Sequence, residues 1–463
     1  MADCDAPSDL LRVTLAGFVV PSHVRPGFSR TWGISVVSDM WATYDEAISD
    51  INASVITKPP CAWSSSAVTC EVLDGQRLRL EVALDAPTTP ALTFELVLEA
   101  KVHCGRVVLP LHLGPVAVVA SLPRPNRAAA WARVLPLRSV TAPLRIHEAQ
   151  DCNSTIASST WDPGVLLAAY LSSRANTQHL LRAAAPEDEM MDEPLRVVEV
   201  GCGCGVAGLA LAAARPQTRA VLTDGDAAAC ALAAQNVKDN GLEGRVGASV
   251  LRWKVGGNDR KELTALCAGL GGPPQLVLAA DVVYLPSTFE ALVGTLTALC
   301  DLGARGSHAN SRGQAADVLF AYRPRIEGDV HFFHLLLEEF DATLVVPASE
   351  AAALLRAAFG ARQASEGADD DLAGDLVGKG EHQIVTGGLA GYGSDGIPHM
   401  MASASTSSPS STGAPCMIYR LRRREDRLPT QCKTCQLRKI AHKAATANIC
   451  GGMQHDVASA AAG

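Results

Sequence analysis

The stretch VVEVGCGCGVAGLALA, Val197 to Ala212, decides the fold. A run of branched residues of strand length flows into glycines at 201, 203 and 205, then into small helix formers. This predicts a strand, a tight turn and a helix in direct succession. Glycines in such a turn let the backbone bend sharply and approach a ligand without side-chain interference. The helix start behind them offers free N–H groups. That much suits any cofactor containing an adenosine. The spacing Gly201, Gly203, Gly208 matches the dinucleotide fingerprint only imperfectly, because the third glycine comes two residues late, and Gly205 falls at the wrong offset.

Two acids sharpen the choice. Glu199 stands two residues before the first glycine, at the strand's end. A carboxylate there repels a pyrophosphate and favours a ligand carrying positive charge, such as the amino group of S-adenosyl-L-methionine. Asp224 ends the next predicted strand, in LTDGD. A carboxylate there can accept both ribose hydroxyls. Each acid taken singly has a plainer reading: Glu199 as a surface acid at a strand end, Asp224 as a helix cap. Combined with the glycines at fixed offsets, they favour S-adenosylmethionine over a dinucleotide.

Outward from this turn, strands and helices alternate. LRVVEVG, RAVLTD, RVGASVLRW, PQLVLAADVVY and ADVLFAYRPR read as strands. DAAACALAAQNVKDNG reads as a helix stopped by Asn240-Gly241. STFEALVGTLTALCD puts Phe289, Leu292, Val293, Leu296, Leu299 and Cys300 on one helical face. The alternation predicts a mostly parallel sheet covered on both faces. Upstream, LRLEVALD and LTFELVLEA alternate apolar and polar residues, which predicts antiparallel strands. The organisation read from these patterns is a β-rich module over 1–140 and an α/β domain over 145–347 and 415–427. An acidic, Ser-rich insertion over 348–414 is expected to be disordered, and a loose tail covers 428–463.

Bulk properties narrow the class. The chain has 463 residues, 48% of them hydrophobic, with a net charge of −8. That charge argues against a nucleic-acid binder relying on a basic field. No apolar run is long enough to span a bilayer, and MADCDAPSDLLRV lacks a secretory pattern. The 14 cysteines are too sparse and irregular for a disulfide scaffold, which predicts a reduced intracellular protein, cytoplasmic and with the nucleus a further compartment. Cys432 and Cys435 lack a second close pair of ligands, so no metal site is expected.

Several segments, in order, resemble a known family. TWDPGVLLAAYL, VVEVGCGCGVAGLALA, LTDGDAAACALAAQNVKDNG, VLRWK, AADVVYLPSTFEALVGTL, AYRPRIEGDVHFFHLLLEEF and CMIYRLRRR resemble the motifs of a seven-β-strand (class I) methyltransferase of the family-16 protein-lysine group. Lys254 departs from the glycine usual after the tryptophan. The resemblance implies a Rossmann-like seven-stranded methyltransferase sheet with helices on both faces, here preceded by a β-rich domain. It implies S-adenosyl-L-methionine as cofactor, a monomer, and a protein substrate bearing the target lysine. Carried over onto this sequence, it places Trp161, Glu199, Gly201, Gly203, Asp224, Trp253 and Ala280 about the cofactor, Asp281 beside the target amine, and Tyr284 beside the methyl donor or the lysine channel.

The chemistry fits those last two positions. Methyl transfer to an amine is an in-line displacement that depends on alignment and exclusion of water. A lysine must also lose its proton, since free lysine is almost wholly charged near neutral pH. A carboxylate beside an aromatic face can hold the ammonium before that loss. The plainer readings are that Asp281 caps the helix after it with Tyr284 packed alongside, and that Trp161 and Trp253 are core residues. Cys202 and Cys204 read as small fillers between the glycines. A small-molecule methyltransferase and a catalytically silent interaction module are the alternative functions.

Overall fold

The strand predicted at Val197 is the middle of a parallel sheet in the computed structural model of the chain, which describes residues 10–16, 20–37, 48–58, 68–73, 77–82, 92–102, 106–124, 130–149, 156–177, 194–304, 315–324, 329–359, 382–383 and 416–424. The N-terminal part contributes β1 (Leu11–Ala16), β2 (His23–Val24), β3 (Ser29–Val37), β4 (Ile48–Lys58), β5 (Val68–Val72), β6 (Arg77–Val82), β7 (Thr93–Val102), β8 (Val108–Leu109), β9 (Leu111–Val118), β10 (Trp131–Leu135) and β11 (Leu144–His147). They form a five-stranded sheet, β5-β6-β3-β1-β8, and a six-stranded one, β11-β10-β9-β7-β4 with β2 beside β9. In β6, Leu78, Leu80 and Val82 are buried while Arg77, Arg79 and Glu81 face outward. Trp32, Leu78 and Leu80 from one sheet share a core with Phe94, Leu96 and Leu113 from the other. This is a sandwich of two antiparallel-rich layers.

The α/β part contributes β12 (Leu195–Val200), β13 (Thr218–Asp224), β14 (Val246–Val250), β15 (Leu276–Ala280), β16 (Asp317–Tyr322), β17 (Phe340–Val346), β18 (His382–Gln383) and β19 (Met417–Arg423). The sheet order is β14-β13-β12-β15-β16-β19-β17-β18. Strands β12 to β16 pair in parallel, and β19 inserts antiparallel between β16 and β17. The expected seven strands are thus present, with the two-residue β18 added at the edge. The helices are α1 (Asp162–Ser172), α2 (Val206–Ala214), α3 (Ala227–Asp239), α4 (Arg260–Leu266), α5 (Phe289–Ala304), α6 (Asp329–Glu339) and α7 (Ala348–Phe359).

Both sheet faces are buried, which explains the continuous apolar runs. Successive residues feed opposite cores. Leu276 and Leu278 join α1, α2, α3 and α7, while Val277 and Ala279 join α4, α5 and α6. Among the described residues, no helix is long and apolar enough to cross a membrane.

Two expectations need correction. The β11 strand, 144–147, lies inside the N-terminal sheet, so the β-rich part runs past 140. Residues 348–359 are not low-complexity chain but helix α7. Its Ala351, Leu355 and Ala358 recur at helical spacing and are buried with α1 in one core. The rest of the 348–414 insertion, apart from 382–383, and the 428–463 tail with Cys432 and Cys435 lie outside the described residues.

The two parts are not beads on a linker. Leu10, Leu109, Leu135, Leu144 and Ile146 belong to the same core as α1 and α2. Asn236 on α3 and Asn240, the cap one turn later at its C-terminus, act as a surrogate strand for β11. Asn236 Oδ1 accepts from the His147 amide (2.7 Å) and Asn240 Oδ1 from the Arg145 amide (2.9 Å). The Asn240 amide donates back to the Arg145 carbonyl (2.7 Å).

Candidate functional site

Strand β12 has β13 on one side and β15 on the other, so the chain order reverses between β12 and β15. Open α/β sheets bind ligands in the crevice outside the carboxyl ends of the strands at such a point. Gly201 follows β12 and Asp281 follows β15.

The glycine turn is a left-handed loop. Gly201, Gly203 and Gly205 have φ of 66°, 51° and 81°, a region that strains residues with a Cβ. Space is also limiting. A Cβ on Gly201 would meet Val282 at 2.6 Å and the Trp253 ring at 3.1 Å, and one on Gly203 would meet the Ala157 carbonyl at 2.9 Å. The loop is therefore pressed between the post-β15 segment, Trp253 and the short 3-10 turn Ile156–Ser158.

Asp224 ties this loop to β13. Its carboxylate accepts from the Gly203 amide (3.1 Å) and the Asp226 amide (3.0 Å). The cap of α3 is Asp226, which accepts from the Ala228 amide (2.8 Å). The cap reading of Asp224 is thus excluded, and its carboxylate is left at the turn's mouth, half-buried.

Glu199 is not a surface acid: it is 3% exposed. Its Oε2 accepts from the Gly208 amide (2.9 Å) in the first turn of α2. Burial pushes the Glu199 carboxyl up to about 8, the Gly208 hydrogen bond opposes the rise, and nearby Asp224 adds to it. The fingerprint spacing marks Gly208 only as a late third glycine, yet a Cβ there would strike Leu222 Cδ2 and stand 2.6 Å from Glu199 Oε2. Cys202 and Cys204 are buried free thiols, pushed well above the usual thiol range by burial first.

The β15 end carries Ala280 and Asp281. Asp281 is the one non-glycine with positive φ among the described residues, at 55°. Its amide donates to the Ala321 carbonyl on β16 (3.0 Å), which pins the kink. A non-glycine held in this region carries local backbone strain. Helix α5 begins only at Phe289, behind a 3-10 turn at Pro286–Thr288, so Asp281 does not cap it. Val282 and Val283 point into the core, whereas Tyr284 and Leu285 are 42% and 47% exposed. Burial raises the Tyr284 phenol, and the Asp224 and Asp281 charges raise it further. Both aspartates therefore act on this ring.

The two tryptophans sit at this edge. Trp253 follows β14 and lies against the glycine turn, and its buried indole N–H has no partner among the described residues. Trp161 is the N-cap of α1, with its indole N–H donating to the Ile156 carbonyl (2.8 Å). Asp162 before Pro163 is acceptable as an N-cap by residue type, but the cap position belongs to Trp161. Asp162 is 1% exposed inside the first turn of α1, and each of its oxygens meets a guanidinium, Arg12 at 2.8 Å and Arg323 at 2.9 Å. No sequence signal links three residues so far apart. Among the described residues, no group of side chains is arranged to hold a metal.

Parts of the chain are similar to known proteins. Residues 140–339 match the sequence model of a family described as lysine methyltransferase. EEF1A lysine methyltransferase 3 of Xenopus tropicalis is 26% identical over 210 residues, covering 44% of this chain and 74% of that protein. A release factor glutamine methyltransferase of Deinococcus radiodurans is 34% identical over 121 residues, or 26% of this chain and 37% of its own length. The chain thus spans little more than a third of that relative. Among solved structures, a predicted O-methyltransferase from Agrobacterium tumefaciens is 18% identical, covers 39% of this chain and 73% of its own, and has a TM-score of 0.25. The cofactor that the family implies is S-adenosyl-L-methionine. The residues fit it: a left-handed glycine turn, an acid at the end of β13 and an indole N–H with no partner among the described residues lie together at the carboxyl ends of the strands.

Proposed function

We propose, on the premise that residues 140–339 belong to the lysine methyltransferase family, that this protein transfers a methyl group from S-adenosyl-L-methionine to a lysine side chain of a protein substrate. The observation that carries the reading is that two kinds of group meet at the carboxyl ends of β12, β13 and β15. On one side stand the Gly201–Gly203 turn and Asp224; on the other, Asp281 is fixed in a left-handed kink.

When bound, S-adenosylmethionine supplies an electrophilic methyl on a cationic sulfur. The chain's own residues do the rest. Gly201 and Gly203 let the backbone approach the ligand, and Asp224 accepts hydroxyls of the ribose. Trp253 offers its ring and free N–H to the adenine, with Trp161 across the turn. Ala280 leaves room where β15 ends. Glu199 holds the start of α2 and places a titratable charge beneath the loop. Asp281 and the Tyr284 ring receive the target ammonium. Desolvation on docking favours the neutral amine against the pull of the Asp281 charge, its proton passing to that carboxylate or to water at the exposed Tyr284 edge, and the fixed kink aligns the lone pair for in-line attack as the methyl–sulfur bond breaks.

A carboxylate held at 281 also argues for a cation over an amide. A glutamine side chain is neutral and has no ammonium for Asp281 to hold, which favours lysine over the chemistry in the Deinococcus relative's name.

The test compares wild type, Asp224→Ala and Asp281→Asn with labelled S-adenosylmethionine. Substrates are EEF1A, the protein in the Xenopus relative's name, and a whole-cell extract. Asn tolerates the left-handed region, so Asp281→Asn removes charge and keeps the kink. Wild type should place acid-stable label on lysine. Asp224→Ala should lose cofactor binding, and Asp281→Asn should bind cofactor but transfer about 100-fold more slowly. Label confined to small molecules would replace this reading with a small-molecule methyltransferase. Cofactor binding with no transfer at all would replace it with an interaction module.

A further inference from the structure

The strongest feature outside the crevice is a buried ionic network joining the β sandwich to the chain beside the glycine turn. Arg12 on β1 forms an ion pair with Asp162 Oδ1 (2.8 Å) and donates to the Thr160 carbonyl (2.8 Å). Arg133 on β10 donates to Glu148 (2.9 Å) and to the Val13 carbonyl (2.5 Å). Glu148 accepts from the Thr160 amide (2.7 Å) and from the Thr160 hydroxyl. Every one of these side chains is buried.

Thr160 and Asp162 bracket Trp161. The Trp161 indole holds the Ile156 carbonyl, and the adjoining Ala157 carbonyl lies where a Gly203 Cβ would be. The Ser158 carbonyl accepts from the Ala149 amide just beyond β11 (2.9 Å). So the segment 156–162 forms a wall on the glycine turn. Its footing is two arginines from the sandwich, residues distant in sequence from the methyltransferase motifs.

We propose that Arg12 and Arg133 are positioning residues for the cofactor crevice, and that the N-terminal sandwich is thereby required for methyl-donor binding. This goes further than a sandwich that only widens the docking surface for substrate, and it rests on the cofactor reading above. Apolar contact alone is non-directional. Charged donors with fixed geometry on Thr160 and Asp162 set where Trp161 stands.

The experiment uses the full chain with Arg12→Met, Arg12→Lys and a control, Leu98→Ala. Leu98 is buried in the sandwich core, and its apolar side chain takes no part in the ionic network. Hydrogen–deuterium exchange without ligand reads the wall directly, and calorimetry with S-adenosylmethionine reads its consequence. Arg12→Met should speed exchange of 156–162 and weaken binding by about tenfold or more, the ratio for a positioning loss near 1.4 kcal/mol. Arg12→Lys should recover part of the affinity. Leu98→Ala should lower stability but leave affinity within about twofold. In a Trp161→Ala background, Arg12→Met should cost little further affinity, because its route to the crevice is gone. Unchanged exchange of 156–162 in Arg12→Met would overturn the proposal. So would an equal loss of affinity in Leu98→Ala. If wild type failed to bind S-adenosylmethionine, the cofactor reading would fall, and the exchange comparison would still decide whether Arg12 holds the wall.

Discussion

Replacing Glu199 with Gln should stabilise the protein at neutral pH and leave it nearly unchanged in acid. The carboxyl is 3% exposed, and burial pushes it up to about 8 from an ordinary 4.5. An acid whose folded pKa exceeds its unfolded value holds its proton more tightly in the folded chain. Stability is then lost as pH climbs from the unfolded value toward the folded one, and the loss is complete above about 8. Each unit in that window is worth about 1.4 kcal/mol, so the whole rise sets a ceiling of roughly 4–5 kcal/mol. Between about pH 5.5 and about pH 7.5 the unfolded acid is mostly ionised and the folded one mostly protonated. The wild type should therefore lose about 2–3 kcal/mol from this one group over that interval. Gln keeps an oxygen for the Gly208 amide and presents a neutral donor where the protonated acid has its O–H. The assay is urea unfolding of both proteins at the two pH values. Subtracting one from the other cancels every other titrating group. The Gln variant should gain about 2–3 kcal/mol on wild type as pH rises across the interval. A difference between the two proteins that stays constant within about 0.5 kcal/mol would refute a buried neutral acid at this position.

Three further outcomes follow from the same contacts. Gly208→Ala adds helix propensity worth about 1 kcal/mol, but its Cβ would strike Glu199 Oε2 at 2.6 Å. A net loss of about 1–2 kcal/mol in denaturant unfolding is expected, and a gain would mean that α2 shifts freely. Asn236 is fully buried and serves both His147 and the Cys204 carbonyl (2.9 Å). Asn236→Ala should cost about 2–3 kcal/mol and Asn240→Ala, at a half-buried site, nearer 1 kcal/mol; equal costs would contradict the surrogate-strand reading. On the proposed cofactor placement, calorimetry should find S-adenosylmethionine binding tighter as pH rises toward about 8, because the cation favours ionised Glu199. Glu199→Gln should flatten that dependence, and a wild-type affinity indifferent to pH would separate Glu199 from the ligand.

The parts legible in the sequence are those with local causes. A branched run ending in alternate glycines predicts β12, the turn and α2, because few other residues tolerate φ near 60° in three nearby positions. The acids at strand ends were also visible. LTDGD, however, holds two aspartates two residues apart, and only the structure gives the cap to Asp226 and frees Asp224 for the loop. The left-handed kink at Asp281 has no pattern of its own, since it is imposed by the Ala321 carbonyl on a neighbouring strand. Helix α7 was hidden by composition. Its run ASEAAALLRAAF sits beside acidic, Ser-rich chain, although Ala351, Leu355 and Ala358 already carry a helical period. Arg12, Asp162 and Arg323 were illegible for a different reason. Their meeting depends on two sheets and a helix being assembled first, and no local pattern encodes it.

That dependence sets the outcome of cutting the chain at the start of the matched family segment. A fragment beginning at residue 140 keeps every strand of the parallel sheet and every residue assigned to the crevice. It also loses Leu10, Leu109, Leu135 and Leu137, which belong to the same core as α1 and α2. The newly exposed apolar surface favours association. The ionic side is worse. Asp162 would keep Arg323 but lose Arg12, while Glu148 would lose Arg133, its strongest opposing charge. Removing one partner of a buried ion pair leaves an uncompensated charge and costs about 3–5 kcal/mol. Glu148 would then take up a proton more readily, and the Thr160 carbonyl would lose its Arg12 donor. The fragment should aggregate on expression or, when kept in solution, fail to bind S-adenosylmethionine by calorimetry. Cofactor binding at wild-type affinity by the isolated fragment would show that the crevice is built by the parallel sheet alone, and that the sandwich serves only what docks upon it.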